Sequence, residues 1–308
     1  MGAGASKGVA FDPKVDIPSL KDKVILVKGG SSGLGAQSIL EFARHEPREI
    51  WLGARSATKA QTAIDNIKAE MELGSFASVR AAAKTVLDGS DRLDILLLNA
   101  GIMAVPAGTT DDGYEIQFGT NHMGHALLTK LLQPLLQPLL QPLLLKTAEQ
   151  HGGVRVVAVS SSSHSFAPAK GIDFDAPKTS GDGVNTGARY GQSKLANILF
   201  LKELARRYPQ FMAASVHPGA VNTNLGASMK ENSWFVRAIV PLLTLFVKNV
   251  QSGAQNQLWA STSEDVVSGT YYVPVGVTGA GKPLSNNSAL AKKLWEWTEK
   301  ELEAKPTA

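Results

Sequence analysis

Val24-Ile-Leu-Val-Lys-Gly-Gly-Ser-Ser-Gly-Leu-Gly-Ala36 is an apolar run that passes through glycines spaced Gly29-x-x-x-Gly33-x-Gly35 into the helix-like Ala36-Gln-Ser-Ile-Leu-Glu-Phe-Ala43. It reads as strand, tight turn, helix. Four β-prone residues between Lys23 and Lys28 suit a buried central strand. Glycines let the turn bend sharply and approach a ligand with no Cβ in the way. The helix that follows points its unpaired N–H groups and the positive end of its dipole at whatever lies over the turn, which predicts a phosphate there. The pattern Gly29-x-Ser31-x-Gly33 also satisfies the nucleophile elbow of serine hydrolases, a second reading of the same turn in which Ser31 is the nucleophile.

Working outward, apolar strands alternate with amphipathic segments nearly to the end of the 308 residues. No Pro/Gly/Ser linker or charge block divides them, so the expectation is one α/β domain over 21–304 behind a flexible N-terminal segment, 1–20. The net charge of +4 is spread along the chain and gives no nucleic-acid footprint. Zero cysteines exclude disulfides, a thiolate nucleophile and a cysteine metal site, and His122 and His125 lack the neighbours of a ligand set, so no metal is expected. Met1-Gly-Ala-Gly-Ala-Ser6 is no signal peptide, and a cytoplasmic protein is expected. It does match the acylation pattern at Gly2, where one chain would give only marginal membrane binding.

Glu49–Gly53 reads as a second strand with Arg55 just beyond it. In a dinucleotide fold an acid at that place accepts from the adenosine 2′-hydroxyl and an arginine pairs with a 2′-phosphate. Helices are predicted over 58–69 and 77–87, leaving only Met71-Glu72-Leu73 for a third strand. Leu93–Gly101 is a fourth strand ending in Asn99-Ala100-Gly101, and a long helix from about Asp112 carries Asn121. That helix runs into a Leu-Leu-Gln-Pro repeat with prolines at 134, 138 and 142, each of which costs about 3 kcal/mol inside a helix. Val154–Ser161 is a fifth strand. A helix from Arg189 then places Tyr190 and Lys194 on one face at i, i+4, and a sixth strand breaks at Pro218-Gly219 with Thr223 beyond. Gly269–Pro274 suits a last strand and Ala289–Glu303 a closing helix.

In this order the residues resemble the short-chain dehydrogenase/reductase family: the glycine turn, Leu98-Asn99-Ala100-Gly101, Asn121, Ser161, Tyr190-x-x-x-Lys194, and Pro218-Gly219 with Thr223. Asn-His-Met-Gly-His, Tyr-Gly-Gln-Ser-Lys-Leu-Ala-Asn and Val-His-Pro-Gly are most similar to its retinol dehydrogenase and WW-domain-containing oxidoreductase branch, in a fungal form. The resemblance implies a doubly wound Rossmann domain with a parallel sheet in the order 3-2-1-4-5-6-7, its third strand shortened here. It implies hydride transfer between a nicotinamide and a carbonyl or alcohol, with Asn121, Ser161, Tyr190 and Lys194 catalytic. Gly29, Ser31, Ser32, Gly33, Leu34, Gly35, Arg55, Asn99, Ala100, Gly101, Tyr190, Lys194, Pro218, Gly219 and Thr223 would bind the cofactor. Arg55 points to NADP(H) over NAD(H).

The chemistry suits those residues. A forming alkoxide needs a proton, which Tyr190 supplies if Lys194 draws its pKa down from about 10. Lys194 also holds the nicotinamide ribose, Ser161 the carbonyl oxygen, and Asn121 a water relay. Lys28 replaces the family's threonine, setting a long cation at the phosphate turn that either assists an NADP phosphate or distorts the turn. With the short third strand it also suggests an alternative, a cofactor-binding pseudoenzyme. The family pairs subunits through its fifth helix, so a homodimer is an expectation that the proline repeat unsettles. The apolar Trp234–Phe246 predicts a lid over bulky apolar substrates, or a surface that meets a membrane or another subunit.

Overall fold

The computed structural model describes residues 8–54, 69–132, 153–221 and 248–304. In chain order these form α1 (Pro13–Asp16), β1 (Val24–Lys28), α2 (Gly33–Ala43), β2 (Glu49–Ala54), β3 (Ala69–Glu70), α3 (Phe76–Gly89), β4 (Ile95–Leu98), α4 (Gly124–Leu132), β5 (Arg155–Val159), α5 (Thr186–Arg207), β6 (Met212–Val216), α6 (Val250–Thr262), β7 (Thr270–Tyr272) and α7 (Ser288–Glu303). The strands make one parallel sheet in the order β3-β2-β1-β4-β5-β6-β7. This is the doubly wound arrangement expected from the sequence. β1 and β4 are buried along their whole length, because central strands of such a sheet are covered on both faces.

Side-chain alternation divides the core in two. Leu26, Leu96, Leu98, Val156 and Ala158 face α3, α4, α5 and α7, while Ile25, Val27, Leu97, Val157 and Val216 face α2 and α6. The third strand is short, as expected, but lies at Ala69–Glu70 and not at Met71–Leu73, and Ala69 is not the end of a helix. Met71 and Leu73 are instead buried core residues, and Leu73 meets α4 so closely that a Cβ on Gly124 would sit 2.6 Å from its carbonyl oxygen. Their apolar side chains are worth more in that core than in extending an edge.

From Gly8 onward the N-terminal segment also packs on the domain. Ile17 and Leu20 are buried, Val9 N–H donates to Val275 O at 2.9 Å, and Gln255 Nε2 donates to Phe11 O at 3.1 Å. The boundary expected at residue 20 is therefore too late. The helix expected from Asp112 begins at Ile116, where Glu115 accepts from Phe118 N–H at 2.7 Å as its cap, and passes through a π-helical turn, Gly119–Met123, into α4.

α7 lies along α5 and reaches α4 through the ion pairs of Lys130 with Glu299 and Glu303. Trp295 stacks on Phe200 at 4.8 Å and takes the Arg207 guanidinium over its ring, Thr298 meets His122 Nε2 at 3.2 Å, and Lys130 reaches Glu303 at 3.3 Å. Residues 58–68 of the helix expected over 58–69, the proline repeat and Trp234–Phe246 lie outside the described residues, as do Gly2, Arg55 and Thr223. Among the described residues no helix is long and apolar enough to cross a membrane.

Candidate active site

The nucleotide end of the site is built on β1, β4 and α2. Gly29 has φ +86°, and a Cβ there would lie 2.7 Å from Ala100 Cα, so the turn needs glycine both for its conformation and for its contact with the Asn99-Ala100 segment. Asn99 Nδ2 donates to Gly29 O at 3.0 Å. A Cβ on Gly35 would overlap Gly29 O at 2.1 Å, so only glycine lets the start of α2 press against the turn. Ser32 is the N-cap of α2, in extended conformation, and its side chain makes no capping bond. The first amides of α2 are thus left facing the mouth of the turn, which suits an anionic phosphate, with Ser31 half-buried and Ser32 exposed beside it.

Lys28 does not lie over this turn. Its side chain runs across Gly53, where a Cβ would be 2.8 Å from Lys28 Cδ, and its buried ammonium donates to Met71 O at 2.5 Å. Strand alternation sends it to the α3/α4 face, so it neither adds a cation to the phosphate turn nor distorts it.

The catalytic end lies where β4, β5 and α5 meet. Asn121 sits in the π turn, Oδ1 accepting from Ile102 N–H at 2.8 Å and Nδ2 donating to Ile102 O and Ser193 Oγ, each at 3.0 Å. Gly101 is wedged beside it: a Cβ there would be 3.2 Å from Asn121 Oδ1 and 3.3 Å from Lys194 Nζ. Lys194 Nζ donates to Val159 O at 3.0 Å and lies 5.6 Å from the centre of the Tyr190 ring. The Ser161 side chain neighbours the Tyr190 hydroxyl and acts to lower its pKa. Ser160 points elsewhere, donating from Oγ to Lys194 O at 2.8 Å. The structure thus brings together Asn121, Ser161, Tyr190 and Lys194. Pro218 and Gly219, the latter at φ +90°, follow β6 after His217.

Burial governs the electrostatics of this cluster. It depresses Lys194 to about 8 and pushes Tyr190 up to about 12, the Ser161 side chain pulling Tyr190 the other way. The sequence reading had Lys194 drawing Tyr190 down. Here burial raises Tyr190 instead, because the phenol is shut away from water. Tyr190 is therefore fully protonated at neutral pH.

Several supporting residues escaped the sequence reading. Glu115 and Arg189 form a buried ion pair at 2.7 Å immediately before Tyr190, and Arg189 also donates to Val105 O at 3.0 Å. Gln117 is buried and links Ala104 N–H, at 3.1 Å, to Thr186. His164 bonds Ser161 O at 2.7 Å. Gln257, on the unforeseen α6, donates to Ser38 Oγ at 2.7 Å and to Asn99 Oδ1 at 3.4 Å, tying the glycine-turn helix to β4. Asn249 ahead of Val250, with Ala254 and Leu258 one turn apart, was a legible sign of α6. His122 and His125 are structural: His122 packs edge-on against Phe118 and Phe200, and His125 Nδ1 meets Asn121 O at 3.0 Å. Among the described residues no three His, Asp or Glu side chains are placed to hold a metal.

The comparisons agree with this geometry. Residues 23–234 match the family model described as short chain dehydrogenase. The chain is 37% identical to short-chain dehydrogenase/reductase drtF of Aspergillus calidoustus, over 93% of this chain and 95% of that one. It is 33% identical to human retinol dehydrogenase 13, over 94% and 86% respectively. Its fold superposes on the crystal structure of an uncharacterized protein from Mycobacterium Paratuberculosis with a TM-score of 0.70 at 29% identity, covering 96% of this chain and 98% of the other. An anion-ready glycine turn leading, across one sheet, to Ser161 beside a buried Tyr-Lys-Asn cluster is thus carried by a chain that belongs to the short-chain dehydrogenase/reductase family, similar to its retinol dehydrogenases, and is an oxidoreductase using a nicotinamide cofactor.

Proposed function

We propose that the chain reduces a carbonyl on a bulky, apolar small molecule with NADPH. The bound nicotinamide supplies the hydride. The observation that carries the reading is the burial of Tyr190 and Lys194 together, the ammonium 5.6 Å from the centre of the Tyr190 ring, with Ser161 neighbouring the Tyr190 hydroxyl. A carbonyl oxygen placed between Ser161 and Tyr190 would accept two hydrogen bonds, which stabilise the negative charge as it forms. Tyr190, protonated at neutral pH, then donates its proton to the alkoxide, a far stronger base. Lys194 steadies the resulting phenolate. Asn121, held on both sides of Ile102, keeps Gly101 and the Lys194 ammonium in register, a route for the returning proton.

NADP(H) is preferred on the strength of Arg55, since a charge-assisted contact with a 2′-phosphate is worth about 1.5–3 kcal/mol. The apolar substrate class rests on Trp234–Phe246, and Phe166, 65% exposed in the turn that begins at Ser161, adds apolar surface nearby. The test is turnover on a panel of aromatic and polyene aldehydes and ketones against small polar ketones, with NADPH and NADH. Tyr190→Phe should lower kcat by roughly 10²–10⁴-fold with NADPH affinity kept. Tight NADPH binding without turnover on any carbonyl would establish the pseudoenzyme instead. Equal affinity for NADH, unchanged in Arg55→Ala, would sink the NADP(H) preference.

A further inference from the structure

We infer that His164 is a positioning residue for the reaction: its imidazole ties the peptide carbonyl of Ser161 to the C-terminal loop at Lys282, and so sets where Ser161 Oγ meets Tyr190. The inference rests on the role proposed for Ser161 and Tyr190.

The local chain shows why such a tie matters. Ser161 is the first residue beyond Ser160 at the end of β5 and caps a 3-10 turn, Ser162–Phe166, with its Oγ accepting from Ser163 N–H at 3.1 Å. The Ser161 side chain also neighbours the Tyr190 hydroxyl, so a small rotation of the Ser161 peptide changes the geometry at the tyrosine. The turn is seated against α5 one residue past Tyr190. A Cβ on Gly191 would lie 2.6 Å from Ser163 O and 2.8 Å from Ala167 N, a contact only glycine permits.

His164 holds the other side of this turn. Its Nδ1 is 2.7 Å from Ser161 O, and Lys282 N–H points at its Nε2 from 3.2 Å. A carbonyl can only accept and an amide can only donate, so the ring must be neutral, with the proton on Nδ1. The backbone already closes the turn with His164 N–H donating to Ser161 O at 3.1 Å. The ring adds a second, shorter bond to the same oxygen and anchors it to a segment more than a hundred residues away in sequence. Tyr271 packs edge-on against the imidazole at 5.1 Å, and the ring is buried, which leaves it little freedom to turn. The groups around it from neighbouring elements are Lys282, His217 and Tyr271, none of them an acid that would favour imidazolium.

The two ring bonds can be separated by substitution. An asparagine amide nitrogen falls where Nδ1 lies, and a glutamine amide reaches where Nε2 lies. His164→Asn therefore keeps the Ser161 bond and loses the Lys282 bond, and His164→Gln does the reverse. Steady-state kinetics on the best carbonyl from the panel should show kcat lowered about tenfold to a hundredfold in His164→Gln and within about threefold of wild type in His164→Asn, with KM for NADPH unchanged in both. Wild-type kcat in both variants, or an equal loss in both that follows a fall in melting temperature, would overturn the inference. Tyr190→Phe in the same series keeps the two ideas apart. If it retains turnover, the proposed chemistry is wrong; if it loses turnover while His164→Gln does not, only the positioning role is wrong. The imidazole ¹⁵N spectrum needs no turnover at all: a neutral ring protonated on Nδ1 is expected, and protonation on Nε2 would overturn the assignment.

Discussion

The two ends of the strand carboxyl edge are held in different ways. At the catalytic end, buried polar side chains cross between elements: Arg189 to Glu115, Gln117 to Thr186, Asn121 to Ser193 and Ile102, Lys194 to Val159. At the nucleotide end, the sheet thins to a third strand of two residues, and a lysine arm across Gly53 reaches the segment that follows it. The difference follows the chemistry. Proton transfer needs heavy atoms held within hydrogen-bond reach, so many ties to one place are useful there. An adenosine moiety needs a shape and an anion site, which a glycine turn and a helix start provide, here held by Asn99 on Gly29 O and by Gln257 on Ser38 and Asn99.

The strongest way to break this contrast is to cut a tie at the catalytic end. Glu115→Ala leaves Arg189 buried without its carboxylate and also removes the cap on Phe118 N–H. Breaking a buried pair from one side costs about 3–5 kcal/mol, and the loss should appear in urea unfolding together with a fall in kcat, since Arg189 precedes Tyr190. Unchanged stability would mean that the catalytic end is not over-determined in the way its bonds suggest.

Burial of Lys194 gives a smaller effect, with a definite sign. Its folded pKa, about 8, lies below the ordinary 10.5, so the unfolded chain binds the extra proton between those values. Stability therefore rises with pH across that window, and below it the charged, buried ammonium opposes folding by about 3 kcal/mol. Subtracting the Lys194→Met curve from the wild-type curve isolates this lysine from the tyrosines, whose raised values act in the opposite sense at higher pH. A flat difference between pH 8 and 10.5 would show that the ammonium is better solvated than its packing implies.

Much of this was legible in the sequence, for physical reasons that differ by region. β1, β4 and β5 are continuous apolar runs because both their faces are covered, and Tyr190 and Lys194 announce themselves by sharing a helix face. Gly29, Gly33 and Gly35 mark a turn that other residues cannot make. The rest depends on partners distant in sequence. Whether Lys28 lies over the turn or beneath β2 is settled by Gly53 and Met71, neither of which belongs to a motif. Tyr190 rising and not falling depends on how completely α5 is packed, which no spacing reveals. α7 was visible as a helix, but its position along α5 came from Trp295 meeting Phe200.

The mildest test falls on the nucleotide end. Lys28→Met preserves most of the side-chain volume across Gly53 but removes the hydrogen bond to Met71 O, leaving a buried carbonyl short of a donor. That loss is worth about 1–3 kcal/mol, partly offset because the apolar replacement no longer buries a charge. Loosening Met71 should be felt first by β3, which pairs with β2 through only two residues. Amide hydrogen exchange at Met71 and along β2 should rise, and NADPH affinity should fall by a few fold, while kcat at saturating NADPH stays within about twofold of wild type. A fall in kcat with affinity unchanged would reverse the assignment, placing the influence of Lys28 at the catalytic end through His125, the buried imidazole that feels both Lys28 and Lys194. An unchanged exchange pattern would show that the two-residue strand is held by its ladder and the core beneath it, and that the lysine arm contributes little.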